Sequence, residues 1–222
     1  MGIFLSIRAP ESSESVGMDY EESFAEAARR EDEAVSDTIS THRRGHVVDE
    51  DDMTAFLIGA LSVKMQGTIG NLSWSASVLR HRKGVAAEEK AFGADILIHV
   101  ALKAADLEYS KGVLVQAKNF DRHLFARERQ RFVDQCDKML VVTPASFVFG
   151  YSRRGMRCGS AVTMVSTTSP ALFEQCVWTS YRFFLELFRC PIGDRRITSA
   201  NVADLPVPNV IRIRGSGGGA ET

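Results

Sequence analysis

Two apolar runs constrain this chain more than any other feature in it. "EKAFGADILIHVAL" (residues 89–102) and "VLVQAKN" (113–119) are rich in aliphatic and β-branched residues and are joined by the polar connection "KAADLEYSKG". Such runs form strands, and strands this apolar belong in the middle of a sheet. Alternation along the second run puts Val113, Val115 and Ala117 on one face and Gln116 and Lys118 on the other. Lysine is rarely buried without a partner. A lysine at the end of a central strand therefore calls for one.

The segments around these strands predict an α/β domain with a mixed central β-sheet flanked by helices. Tyr20, Phe24, Ala27, Ala28 and Val35 recur at helical spacing between Met18 and about Ser40. A second helix is expected from about Glu50 to Met65, because its run of acids suits the positive end of the helix dipole. "QGTIGN" reads as a loop and "SWSASVLRHRKG" as a strand. Beyond Asp121, "RHLFARERQRFVDQCDKML" reads as a helix, and "VVTPASFVFGYS" and "CGSAVTMVS" as strands. Pro170 is placed to open a long final helix through Cys190. The division expected is an N-terminal acidic helical arm (1–45), a main domain (46–205) and a flexible C-terminal tail (206–222).

Charge is distributed unevenly. Residues 1–60 carry 14 acidic and 5 basic side chains, whereas residues 61–222 carry 14 acidic and 22 basic. A basic body beside an acidic segment suits a polyanionic ligand. The four cysteines, Cys136, Cys158, Cys176 and Cys190, are widely spaced and include no C-x-x-C pair. They read as buried free thiols of a reducing, cytoplasmic compartment rather than as a zinc cluster. His81, His99 and His123 share no metal-ligand spacing. The start Met-Gly-x-x-x-Ser fits the loose myristoylation pattern, but no apolar stretch approaches the roughly 20 residues that span a bilayer. No membrane association is expected.

If the two apolar strands are neighbours, Asp95 meets Gln116 and Lys118 at one end of the sheet. A carboxylate from the acidic start of the second helix would complete a set of oxygen donors beside a fixed cation. Hard divalent ions prefer oxygen ligands, and a water they acidify attacks phosphorus in line. A nearby lysine stabilises the negative charge that develops.

Gly93, Ala94 and Asp95 followed by Gln116, Ala117 and Lys118 resemble the PD-(D/E)xK, or restriction-endonuclease-like, nuclease superfamily, and in particular its Mrr-like branch with a Q-x-K motif. The resemblance covers roughly residues 48–150. It implies a restriction-endonuclease-like core and a Mg²⁺- or Mn²⁺-dependent DNA endonuclease, a hydrolase of phosphodiester bonds. Asp95, Gln116 and the backbone carbonyl of Ala117 would bind the metal, and Lys118 would be the catalytic cation. A helix acid would assist, Glu50 first and Asp52 next, with Glu89 a further candidate on the strand of Asp95. Gln116 removes one negative charge, which favours a single metal. Arg122, Arg127, Arg129 and Arg131 would contact DNA phosphates, and Gln130 and Gln135 lie on the same helix. With no separate DNA-reading module, the resemblance implies the compact effector of a bacterial antiviral defence system. A protein partner or a second copy would then bind through the N-terminal helix. The alternative is a catalytically degenerate nuclease-fold module that binds nucleic acid or assembles complexes.

Overall fold

The two apolar runs meet as a hairpin at the centre of an eight-stranded sheet. The computed structural model describes residues 16–47, 49–80 and 92–217. In chain order the elements are α1 (Val16–Arg43), α2 (Glu50–Lys64), β1 (Gly67–Ile69), β2 (Leu72–Arg80), β3 (Ile96–Lys103) and β4 (Glu108–Asn119). They continue with α3 (Ala126–Val142), β5 (Ser146–Ser152), β6 (Gly155–Ser160), α4 (Ala161–Ser166), α5 (Leu172–Gln175), β7 (Trp178–Thr179), α6 (Ser180–Arg189) and β8 (Asn209–Gly217).

The sheet order is β1-β2-β8-β3-β4-β5-β6-β7. β3 pairs antiparallel with β4, so that Ile96 faces Val115 and Ile98 faces Val113. β4 runs parallel to β5, and the connection between them is α3, the crossover that parallel neighbours require. β8 runs parallel to β3 and antiparallel to β2. The sheet is therefore mixed, as expected.

Each face of the sheet has its own core. On one, Ile96, Ile98, Val113, Val115 and Ala117 pack with α1, α2 and α6. The aromatic cluster Phe147, Phe149, Phe183 and Phe184 lies here, with ring centroids 5.0–6.3 Å apart. On the other face, Leu97, Leu114, Val148 and Val210 meet Phe132, Cys136 and Met139 of α3.

Several expectations give way here. The segment expected as a flexible tail contains β8, which sits between β2 and β3; Ile211 and Ile213 are fully buried because the "IRIR" alternation turns one side of the strand into the core. The single long helix from Pro170 is broken into α5, β7 and α6. Trp178 pairs with Cys158 across the sheet edge, and the Thr179 side chain accepts from the Arg182 N–H, starting α6 afresh. "CGSAVTMVS" divides at Ser160, whose hydroxyl caps α4 by accepting from Thr163 N. Val141 and Val142 close α3 instead of opening β5. "QGTIGN" is part of a hairpin, with Gly70 at φ +60 in its turn.

α1 does not stand apart as an arm. Phe24, Ala27, Ala28, Val35 and Ile39 are buried in the same core as the sheet. Its Glu31 is fully buried, and neither carboxylate oxygen has a hydrogen-bond partner. Burial raises the pKa of Glu31 well above its ordinary 4.5, so the group is held as the neutral acid. Glu31→Met, which keeps the length of the side chain, is expected to stabilise the fold by ~1–3 kcal/mol at pH 7, read by urea denaturation. The unfolded chain releases this proton first, so wild-type stability falls relative to the variant as pH rises above about 4.5. A gap that stays constant from pH 4 to pH 8 would contradict this assignment.

The four cysteines are free thiols; Cys136, Cys158 and Cys176 are buried and Cys190 is half-buried. No helix among the described residues is long and apolar enough to cross a membrane.

Candidate active site

The start of β3 and the end of β4 lie side by side, and their register places Asp95 opposite Gln116. Asp95 N donates to Val115 O at 3.0 Å, extending the ladder by one residue. One oxygen of the Asp95 side chain, Oδ2, accepts from Gln116 Nε2 at 2.6 Å and from the Ala117 N–H at 2.8 Å. Gln116 Nε2 also donates to the Ala117 carbonyl at 3.0 Å. The amide N–H group thus sits between two oxygens, the electrostatic position of a small cation. The other amide atom, Gln116 Oε1, is a buried acceptor with no hydrogen-bond partner.

Lys118 lies two residues further along β4, and its partner is Glu50. Nζ is 3.1 Å from Oε1 and 3.0 Å from Oε2. Glu50 Oε2 also accepts from Asn119 N at 3.0 Å. The first turn of α2 delivers this acid because Asp49 caps the helix, its side chain accepting from Asp52 N at 2.7 Å. The ion pair is partly exposed, at 23% and 28% for the two side chains, so it joins the core to solvent at the sheet's end.

Gly93 has φ +70, and a Cβ there would strike the backbone of Gln135 in α3. Its place before Asp95 thus has a packing cause: it lets the chain pass under α3 before entering the sheet.

The remaining candidates scatter. Asp52 is exposed on α2, and its backbone N–H donates to the Asp49 cap. Glu89 lies outside the described residues. Arg122 makes a bidentate pair with Glu128, at 2.8 and 2.6 Å. Arg129 is used to hold the carbonyls of Ser169 and Thr167. Arg127 and Arg131 are exposed on α3, and Gln130 bonds Asp134 on its own helix. His99 is buried and bonds Ser110 Oγ at 2.9 Å.

Two residues join the site that sequence reasoning missed. Asn209 Nδ2 donates to the Asp95 carbonyl at 3.0 Å, fixing the backbone that carries the carboxylate. Tyr151, on β5, is fully buried. Its phenol pKa is raised well above the usual range by burial and then by the negative charge of Asp95, with Glu50 adding to the shift. The hydroxyl thus lies in the field of both carboxylates, beside Thr54, yet has no partner in good hydrogen-bond geometry. Nothing in "SFVFGYS" marks Tyr151 as different from a core aromatic, and Asn209 belongs to the segment read as tail. Tyr151→Phe is expected to leave stability unchanged or raise it by about 1 kcal/mol, since an unsatisfied hydroxyl is removed. Equal stability together with weakened metal binding would show that the hydroxyl serves the site rather than the fold.

Among the described residues, no three or more His, Cys, Asp and Glu side chains are grouped to hold a metal. A cation here would rely on one close carboxylate, Asp95, and on neutral oxygens. The orphaned Gln116 Oε1 and the Ala117 carbonyl are of the right kind: hard oxygen donors, with no imidazole or thiolate among them. No family model, curated protein or solved structure matches the chain.

Proposed function

We propose that this chain is a Mg²⁺- or Mn²⁺-dependent endodeoxyribonuclease with a restriction-endonuclease-like core. The observation that carries the reading is the meeting of Asp95, Gln116 and the Ala117 carbonyl at one end of the sheet, beside the Lys118–Glu50 pair. Asp95, the Ala117 carbonyl and Gln116, its amide turned so that Oε1 replaces the N–H group now between the other two, would hold the ion. When bound, Mg²⁺ supplies Lewis acidity and a more acidic water. The protein's own groups do the rest. Asn209 and the Ala117 N–H fix the orientation of Asp95. Glu50 holds the Lys118 ammonium at the mouth of the site, where it meets the phosphate and stabilises charge that builds on its oxygens. Arg127 and Arg131, exposed on α3, supply cations for the flanking phosphates.

The test is incubation of supercoiled plasmid and single-stranded DNA with the protein in Mg²⁺, Mn²⁺ or EDTA. Metal-dependent nicking or cutting is expected; no cleavage of either substrate with either metal would overturn the proposal. One feature favours a second reading, a nuclease-fold module that no longer cuts: Asp95 already accepts from the Gln116 amide, and Lys118 is already paired with Glu50. Calorimetry separates the two, because only the enzyme binds Mn²⁺ saturably in a manner lost with Asp95→Asn.

A further inference from the structure

We propose a second site, a pocket for a small phosphate ester on the exposed face of β2, β8 and β3, far from the Asp95 cluster and independent of any nuclease activity. A cavity of about 490 Å³ opens there, lined by Ser73, Ser75, Lys103, Ser110, Arg214 and Ser216 among others. Its size is within the range of small-molecule sites.

The pocket follows from strand register. Leu72 and Trp74 of β2 point into the core, so Ser73 and Ser75 point out. Ile211 and Ile213 of β8 do the same for Arg212 and Arg214. Pairing then aligns these residues in rows across the sheet. Ser75 faces Arg214, which faces Ala101, which faces Ser110. One row along, Ser73, Ser216 and Lys103 are aligned; one row back are Ser77, Arg212 and His99. Ala101 is six residues beyond Asp95, roughly 20 Å along a strand.

The chemistry of this surface is one-sided. Among the described residues, Lys103, Arg212 and Arg214 form no ion pair, and Glu108 is the one acid lining the cavity. Arg212 Nε is buried and has no hydrogen-bond acceptor. His99 is 1% exposed, and its Nδ1 likewise has no partner. Burial, with the positive charges of Arg212 and Arg214, drives the pKa of His99 down to about 4, so the imidazole adds no charge. In the cavity itself two cations, Lys103 and Arg214, stand among serine hydroxyls with one acid beside them, a lining that calls for a ligand with several anionic oxygens. Phosphate fits that description better than a carboxylate, which offers two. Ala101, half-buried and also in the lining, gives the organic part of an ester a small apolar surface to rest on.

Calorimetry of the EDTA-treated full chain at fixed ionic strength, with inorganic phosphate, AMP and adenosine as probes, tests the site. Saturable binding of phosphate and tighter binding of AMP are expected, with none for adenosine. Arg214→Ala and Lys103→Ala alter exposed side chains and should fold, as circular dichroism will verify; each should weaken AMP at least tenfold. Asp95→Asn should bind AMP as the wild type does, which keeps this test separate from the fate of the nuclease proposal. The inference is overturned if neither phosphate nor AMP saturates, if adenosine binds as well as AMP, or if both substitutions leave AMP binding intact. A 5′-phosphorylated octanucleotide that binds more tightly than AMP would also overturn it, in favour of a strand-binding surface.

Discussion

Lys118→Ala is expected to abolish metal-dependent DNA cleavage, by about 10²–10³-fold or more, while leaving the fold intact. The two halves of this expectation have different physical origins. The activity loss follows from removing a fixed cation where negative charge builds on the phosphate; groups of this kind typically contribute that much. The structural tolerance follows from exposure. Lys118 and Glu50 are both partly solvated, so their ion pair contributes no more than ~1 kcal/mol to stability, and Glu50 keeps its bond from Asn119 N. Lys118→Arg should not restore activity, because a planar guanidinium does not place its charge where the ammonium of Lys118 sits. The checks are plasmid cleavage rates and a urea melt on the same preparations. Wild-type cleavage by Lys118→Ala would remove this residue from the chemistry, and a large drop in stability would recast the pair as structural.

Ending the chain before Asn209 is expected to leave no folded domain at all. β8 lies in the interior of the sheet, hydrogen-bonded on one side to β2 and on the other to β3. Its loss would expose Ile98, Val100 and Trp74, all buried now, and strip two strands of their partners. Val210, Ile211 and Ile213 alone contribute about 4.5–9 kcal/mol of apolar burial at roughly 1.5–3 kcal/mol each, comparable to the ~5–15 kcal/mol net stability of a typical domain. Far-ultraviolet circular dichroism and limited proteolysis of the shortened chain check the expectation. A cooperative thermal transition in that chain would contradict the placement of β8.

The central hairpin was readable because its signal is local. Apolar runs of strand length, one short connection and alternation were enough to bring Asp95 opposite Gln116 and to leave Lys118 in need of a partner. Glu50 was within reach of sequence reasoning because acids crowd the start of α2, but the choice between Glu50 and Asp52 rests on a tertiary contact, the bonds of Glu50 to Lys118 and Asn119. The failures have physical reasons too. β8 alternates isoleucine with arginine beside a glycine-rich end, and its partners are far away in the chain, so nothing nearby in sequence announces a central strand. The break between α5 and α6 depends on Trp178 finding Cys158 at the sheet edge, a tertiary contact that overrides a helical pattern. Tyr151 is chemically distinct from its phenylalanine neighbours only through what lies next to its hydroxyl.

The position of β8 also bears on how the chain reaches its native state. Every other strand of the sheet precedes it in sequence, and until it inserts, β2 and β3 each present an open edge. Contacts of such long sequence separation slow folding, and unpaired edges are where partly folded chains associate. Asn209, the first residue of β8, also anchors the backbone of Asp95. The carboxylate is therefore set only when the last strand closes the sheet, so an incompletely folded or incompletely synthesised chain carries no ordered site.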